Sequence, residues 1–197
     1  MSTKIQATIE DLYRLPEKEK AEIVNGEIVR LSPTGDLPGR AGGATYVSLR
    51  GVEREAGGRA YPDNVGFRVN LPHRKSFSPD AAFYVGQSSG MKFLEGAPIF
   101  AAEIRSENDY GREAELEIAA KRQEYFAAGT LVVWDVDLLS AEVVKVYRAA
   151  DRDNPEIYRR GEMAEAEPAV PAGECLWMPC SINQFFKIPA FQPKTHC

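Results

Sequence analysis

SPDAAFYV at residues 78–85, IFAAEIRS at 99–106 and EAELEIAAKRQEYFAAG at 113–129 are the stretches on which the reading of this chain turns. The first two are short apolar runs of strand length, and the third has helical periodicity. Each carries one charged residue out of keeping with its neighbours: Asp80, Glu103 and Lys121. Strand alternation puts Asp80, Ala82 and Tyr84 on one face, and likewise Ala101, Glu103 and Arg105. Both acids therefore stand among small residues, which leave room for an ion or a ligand. At 100° per residue Lys121 falls in a stripe with Ala114, Ile118 and Tyr125, apart from Glu113, Glu117 and Glu124.

Two carboxylates roughly 5 Å apart would repel by about 3 kcal/mol at an effective dielectric near 20. A proton, Arg105 or Lys121, or a divalent cation relieves that. An all-oxygen site with open positions suits Mg²⁺ or Mn²⁺. Such an ion polarises a phosphoryl oxygen and lowers the pKa of a bound water. A nearby lysine positions that water or stabilises developing charge. Each residue also has a plain structural reading. Pro79-Asp80 is a common turn and cap, Glu103 with Arg105 a same-face ion pair, and Lys121 a snorkelling surface lysine.

Outward from these stretches the pattern is regular. Residues 8–15 predict a short helix with Thr8 as N-cap, ended by Pro16. Asn25-Gly26 between AEIV and EIVRL predicts a hairpin with strands 21–24 and 27–32, since both turn positions need positive φ. SPTGDLPG is expected as a loop, and residues 40–55 as a helix whose first turn Gly42 and Gly43 weaken. Strands are expected at 59–61, 65–70, 80–85 and 99–105. A helix over 112–127 follows, closed by Gly129 at C′. LVVWDVD (131–137) and AEVVKVYRA (141–149) are the last clear strands, with Trp134 a core residue. Beyond Arg148 the pattern degrades into the acidic, Pro-rich EMAEAEPAVPAGE, then CLWMPCSINQFF and the tail FQPKTHC. The order points to α+β, or α/β with a mixed sheet. A single domain over 1–190 with a tail at 191–197 is expected.

With 197 residues, 44% hydrophobic and 27% charged, the chain has an ordinary globular composition. A net charge of −5 argues against a polyanion binder over its whole surface but allows a small basic cleft. MSTKIQATIE lacks a signal peptide's apolar core, no run is long enough to span a bilayer, and three cysteines fit a reducing cytoplasm. Cys175, Cys180, His196 and Cys197 are spaced unlike a zinc knuckle. No Walker, dinucleotide or nucleophile-elbow fingerprint occurs.

SPDAAFYV, FAAEIRSEND, KRQEYFAAGTLVVWDVD and VVKVYR, in that order, resemble the bacterial family of putative restriction endonucleases in the PD-(D/E)XK nuclease superfamily. AEIVNGEIVRLSPTG resembles that family's opening hairpin, and the likeness covers roughly residues 8–186. It implies a restriction-endonuclease-like core, a mixed sheet flanked by helices, with Mg²⁺ (or Mn²⁺) held by acids on two neighbouring strands. Carried over by position, Asp80 and Glu103 would be metal ligands and Lys121 the catalytic lysine. The superfamily's lysine position two residues after the second acid holds Arg105 here, a poor substitute for a compact ammonium. Arg105 would steady the phosphate, and Glu22 would be an additional acid. His73-Arg74-Lys75 would contact the DNA backbone, although a solvated loop is the plainer reading. Glu107, where relatives often have proline, disfavours a phosphate backbone. The resemblance implies a DNA-cleaving homodimer. The alternative is an inactive nuclease fold that binds nucleic acid or protein.

Overall fold

The computed structural model describes residues 6–15 and 20–171. The expected tail and the residues of the zinc reading, Cys175, Cys180, His196 and Cys197, lie outside the described residues. The opening helix α1 (Ile9–Tyr13) is followed by the hairpin β1 (Ala21–Val24) and β2 (Glu27–Arg30). Asn25 and Gly26 have φ of 51° and 76°, the doubly positive turn that the Asn-Gly pair favours.

Helix α2 (Asp36–Gly51) starts inside the stretch expected to be a loop. Pro38 is the reason the sequence hides this start. Proline normally breaks a helix, but in the first turn its missing N–H has no helical partner to lose. A single further turn, α3 (Glu53–Ala56), ends at Gly57 in the left-handed region, with φ 65°. The short strands β3 (Arg59–Pro62), β4 (Phe67–Arg68), β5 (Ser76–Phe77), β6 (Ala81–Tyr84) and β7 (Leu94–Glu95) lead to β8 (Phe100–Ile104). Helix α4 (Arg112–Ala127) has the expected bounds. Gly129, with φ 107°, donates to Phe126, and Thr130 donates to Tyr125, which closes the last turn as a Schellman motif.

Strands β9 (Val132–Val136) and β10 (Val144–Arg148) match the expected apolar runs, while β11 (Asp151–Tyr158) was not expected. Its sequence, DRDNPEIY, lacks apolar alternation because it is an edge strand with most residues in water. The large sheet runs β11-β10-β9-β8-β6-β3. Within this sheet, among the described residues, β8 and β9 pair in parallel with α4 as the crossover between them, and the other pairs are antiparallel. Strands β5-β4-β7 form a small separate sheet. The architecture is thus a mixed α+β fold with a mixed sheet flanked by helices and an N-terminal hairpin. Among the described residues no helix is long and apolar enough to cross a membrane.

Alternation along the strands splits the core in two. Phe83, Phe100, Ala102, Trp134 and Val136 pack with Leu49 and Val52 near α2. Tyr84, Ala101 and Val133 pack with Tyr125 and Phe126 of α4. Trp134 is a core residue as expected, 2% exposed, and its Nε1 donates to Glu165 O at 3.0 Å. The hairpin docks on residues 73–76: Asn25 N donates to His73 O (2.6 Å), Lys75 N to Ile23 O (3.0 Å) and Ile23 N to Ser76 Oγ (3.0 Å).

Gly42 lets α2 lie against the start of β6. A Cβ there would meet Asp80 O at 3.4 Å and Ile104 Cδ1 at 3.5 Å, which is contact without overlap. Gly42→Ala should therefore fold normally and gain up to about 1 kcal/mol from helix propensity. Gly42→Leu should lose about 1–3 kcal/mol through overpacking. Urea unfolding of the two variants checks the opposite signs.

Candidate active site

Glu103 and Lys121, from β8 and α4, line one cleft, and Asp80 stands near enough for its charge to act on Glu103. Asp80 lies just before β6, held by its own N–H donating to Ala102 O at 3.1 Å. Its Oδ2 accepts from Ile104 N (2.8 Å) and its Oδ1 from Lys20 Nζ (3.0 Å). Glu103, on β8, accepts Lys121 Nζ at 2.9 Å on Oε2 and Tyr125 OH at 2.6 Å on Oε1. Lys121 and Tyr125 are four residues apart on α4, so both tips reach the same carboxylate.

Glu22 joins them from β1. It is 3% exposed, and its Oε1 accepts Ser78 N at 2.8 Å and lies 3.3 Å from Lys121 Nζ. Its Oε2 pairs with the Arg74 guanidinium. Arg74 also donates from Nε to Glu124 Oε2 at 2.5 Å. The series Glu103–Lys121–Glu22–Arg74–Glu124 therefore alternates in sign from β8 to α4 to β1, through Arg74 and back to α4.

The electrostatics follow from that order. Burial, then the like charges of Asp80 and Glu22, raise the pKa of Glu103 despite Lys121. Burial alone would also raise that of Glu22, but Lys121, Arg74 and the Ser78 N–H overcome it and hold it below the usual value. Burial works against the Lys121 ammonium, yet the Glu103 and Glu22 carboxylates outweigh it, and its pKa is raised. Burial and the same two carboxylates push the Tyr125 phenol well above its ordinary value, so it is a donor only. Its ring stacks on Phe77, with centroids 4.0 Å apart, which fixes the hydroxyl.

The expected phosphate contacts have other partners. Arg105 is 6% exposed and grips Asp135 with Nε (2.7 Å) and Nη2 (2.8 Å), and Glu115 with Nη1 and Nη2. Expected to steady a phosphate, Arg105 here turns its fork to two carboxylates, which raise its pKa further. Arg74 is 6% exposed, inside the series above, rather than on a solvated loop. Lys75 turns away, donating to Asn70 Oδ1 (3.0 Å) and Leu71 O (2.9 Å) beside a different groove. Asp137 accepts from Leu139 N and Ser140 N, capping the turn into β10, while Glu107 is exposed.

Sequence reasoning missed Lys20, Tyr125 and Glu124 as parts of the site. Tyr125 had a usable signal, since it shares the stripe of Lys121. Lys20 and Glu124 had none, because nothing local tells which distant charge a surface-type residue will meet.

The cleft over Glu103 has a volume of about 500 Å³ and is lined by six carboxylates, Glu22, Glu103, Asp109, Glu117, Glu124 and Asp135, against Arg74, Arg105 and Lys121. Among the described residues no three His, Cys, Asp or Glu side chains form a ready metal cage. Asp80 and Glu103 nonetheless fit a hard divalent ion. Both offer the oxygen donors that a hard cation takes, and Asp80 and Glu22 add like charge to the burial that raises the pKa of Glu103. Mg²⁺ commonly keeps several waters and needs only one or two carboxylates.

The profile of the Uma2 family, described as "putative restriction endonuclease", matches residues 9–178. A crystal structure of a putative nuclease from Anabaena variabilis superposes with a TM-score of 0.65 at 17% identity, covering 83% of this chain and 91% of that one. Among curated proteins none matches the chain.

Glu22→Gln leaves Arg74 and Lys121 partly unpaired in a buried site and should cost about 3–5 kcal/mol. The depressed pKa of Glu22 contributes stability that is present above its ordinary value of 4.5 and lost as pH falls through the lower folded value. Glu22→Gln should therefore flatten the acid limb of the stability–pH curve below 4.5, as measured by denaturant unfolding at several pH values.

Proposed function

Since the chain belongs to the Uma2 family of putative restriction endonucleases, we propose that it hydrolyses phosphodiester bonds of DNA, with Mg²⁺ or Mn²⁺ held by Asp80 and Glu103. The observation that carries this reading is the meeting of Glu103, Lys121 and Glu22, from β8, α4 and β1, beside Asp80. Bound there, the ion would supply a Lewis acid for a phosphoryl oxygen and a water of lowered pKa.

The chain's own groups divide the remaining work. Asp80 is oriented by Ile104 N, which leaves Oδ1 as its free-facing oxygen once Lys20 moves aside. Tyr125 holds Glu103 by one oxygen, so the carboxylate keeps a fixed angle across the cleft. Lys121, with its raised pKa, stays an ammonium at working pH. It therefore acts as a hydrogen-bond donor that orients a water or steadies phosphoryl charge, and it does not remove a proton. Glu22 and Arg74 keep that ammonium in place from behind. The same reading takes a cytoplasmic homodimer as the working form, on the family resemblance and the few cysteines.

The acid-lined cleft favours a second reading, an inactive nuclease fold that binds nucleic acid or protein. Arg74 and Arg105 are already paired, so a duplex backbone finds few uncommitted cations in this cleft. A plasmid nicking assay with Mn²⁺ against EDTA separates the two. Metal-dependent nicking that disappears in Asp80→Asn and Glu103→Gln, and falls about 10²–10³-fold in Lys121→Met, is the expected outcome. Equal nicking by wild type and both acid variants would remove the hydrolytic reading.

A further inference from the structure

Lys20 is not part of the catalytic series, yet its ammonium sits on the acid site. Its Nζ is 3.0 Å from Asp80 Oδ1 and 2.6 Å from Asp63 Oδ1, and the side chain is 15% exposed. Burial works against that charge, but Asp80 and Asp63 outweigh it, and Glu103 adds to the pull. Because Ile104 N holds Asp80 Oδ2, Lys20 occupies the one oxygen of Asp80 that a metal ion could take without disturbing the sheet.

An exit is also present. Asp63 is the more exposed of the two acids, at 41% against 15% for Asp80. A cleft of about 650 Å³, lined by Lys20, Ser32, Thr34, Asp63 and Asn64, opens beside them. The Lys20 backbone is tied down, its carbonyl accepting from Leu31 N at 2.9 Å, so only the side chain needs to pivot.

Resting on the metal-site reading above, we propose that Lys20 is a resident counter-cation of Asp80 that competes with the divalent ion. Metal entry drives its ammonium fully onto Asp63. An ammonium at Oδ1 neutralises Asp80 while the site is empty of metal, and its displacement opposes metal binding by a fixed amount. Asp63 sets that amount, because it holds the displaced charge.

Titration calorimetry of the full chain with MnCl2 alone, with no nucleic acid, tests this. Lys20→Met should bind Mn²⁺ about tenfold or more tightly than wild type, in the usual range of couplings between two ligands of one site. Lys20→Arg keeps the charge and should bind as weakly as wild type. Asp63→Asn, which removes the alternative partner, should bind several-fold more weakly. Melting in EDTA gives a second reading: Lys20→Met should melt below wild type, and saturating Mn²⁺ should raise it by more degrees. Binding by Lys20→Met equal to or weaker than wild type overturns the proposal. If wild type binds Mn²⁺, Asp80→Asn does not and Lys20→Met is unchanged, the metal reading stands and only the competition falls. If folded wild type and Lys20→Met both fail to bind Mn²⁺, both readings fall together.

Discussion

The shared burial of Glu22 between Arg74 and Lys121 is the constraint on which the site depends. A carboxylate at 3% exposure is tolerable only when its charge is matched and its lone pairs are taken. Glu22 meets both conditions with two cations and the Ser78 N–H. None of these partners comes from its own hairpin. The pairing closes only when β1, residues 74–78 and α4 are in their final places. A network that is costly when half made is therefore a sensor of correct assembly.

That network also decides which charges are available for chemistry. Every cation in the inner cleft is matched by at least one carboxylate, and burial, with Asp80 and Glu22 nearby, raises the pKa of Glu103. Arg105 illustrates the same economy. Facing Asp135 and Glu115, it ties the end of β8 to β9 and to the first turn of α4. The site thus combines a paired back wall with a front edge where Asp80 is held by Lys20 and Glu103 by Lys121.

Backbone devices place these groups with little freedom. The doubly positive Asn25-Gly26 turn sets the hairpin register, which puts Glu22 rather than Ile23 towards α4. The parallel β8–β9 pair with α4 as crossover lays Lys121 and Tyr125 over the face of Glu103. At Gly42, α2 lies against Asp80 with room for no more than a methyl group. Small residues at Ala81, Ala82, Ala101 and Ala102 let the central strands be covered closely on both faces.

The hairpin, helix α4 and the central strands were legible in the amino-acid order alone, because turn chemistry, the helical repeat and apolar runs are local signals. So was the candidacy of Asp80, Glu103, Lys121 and Glu22, each a charge set in an apolar pattern or matched to a family motif. Edge strand β11 and the start of α2 at Asp36 were not legible: an edge strand needs no apolar alternation, and Pro38 disguises a first turn. Partner choice belonged to the tertiary structure. Whether Arg105 meets a phosphate or Asp135, whether Arg74 points to water or to Glu22, and that Lys20 rests on Asp80 sixty residues away are questions of Coulomb pairing across elements. Such pairing acts through space, and a linear pattern carries no record of which distant charge will be nearest.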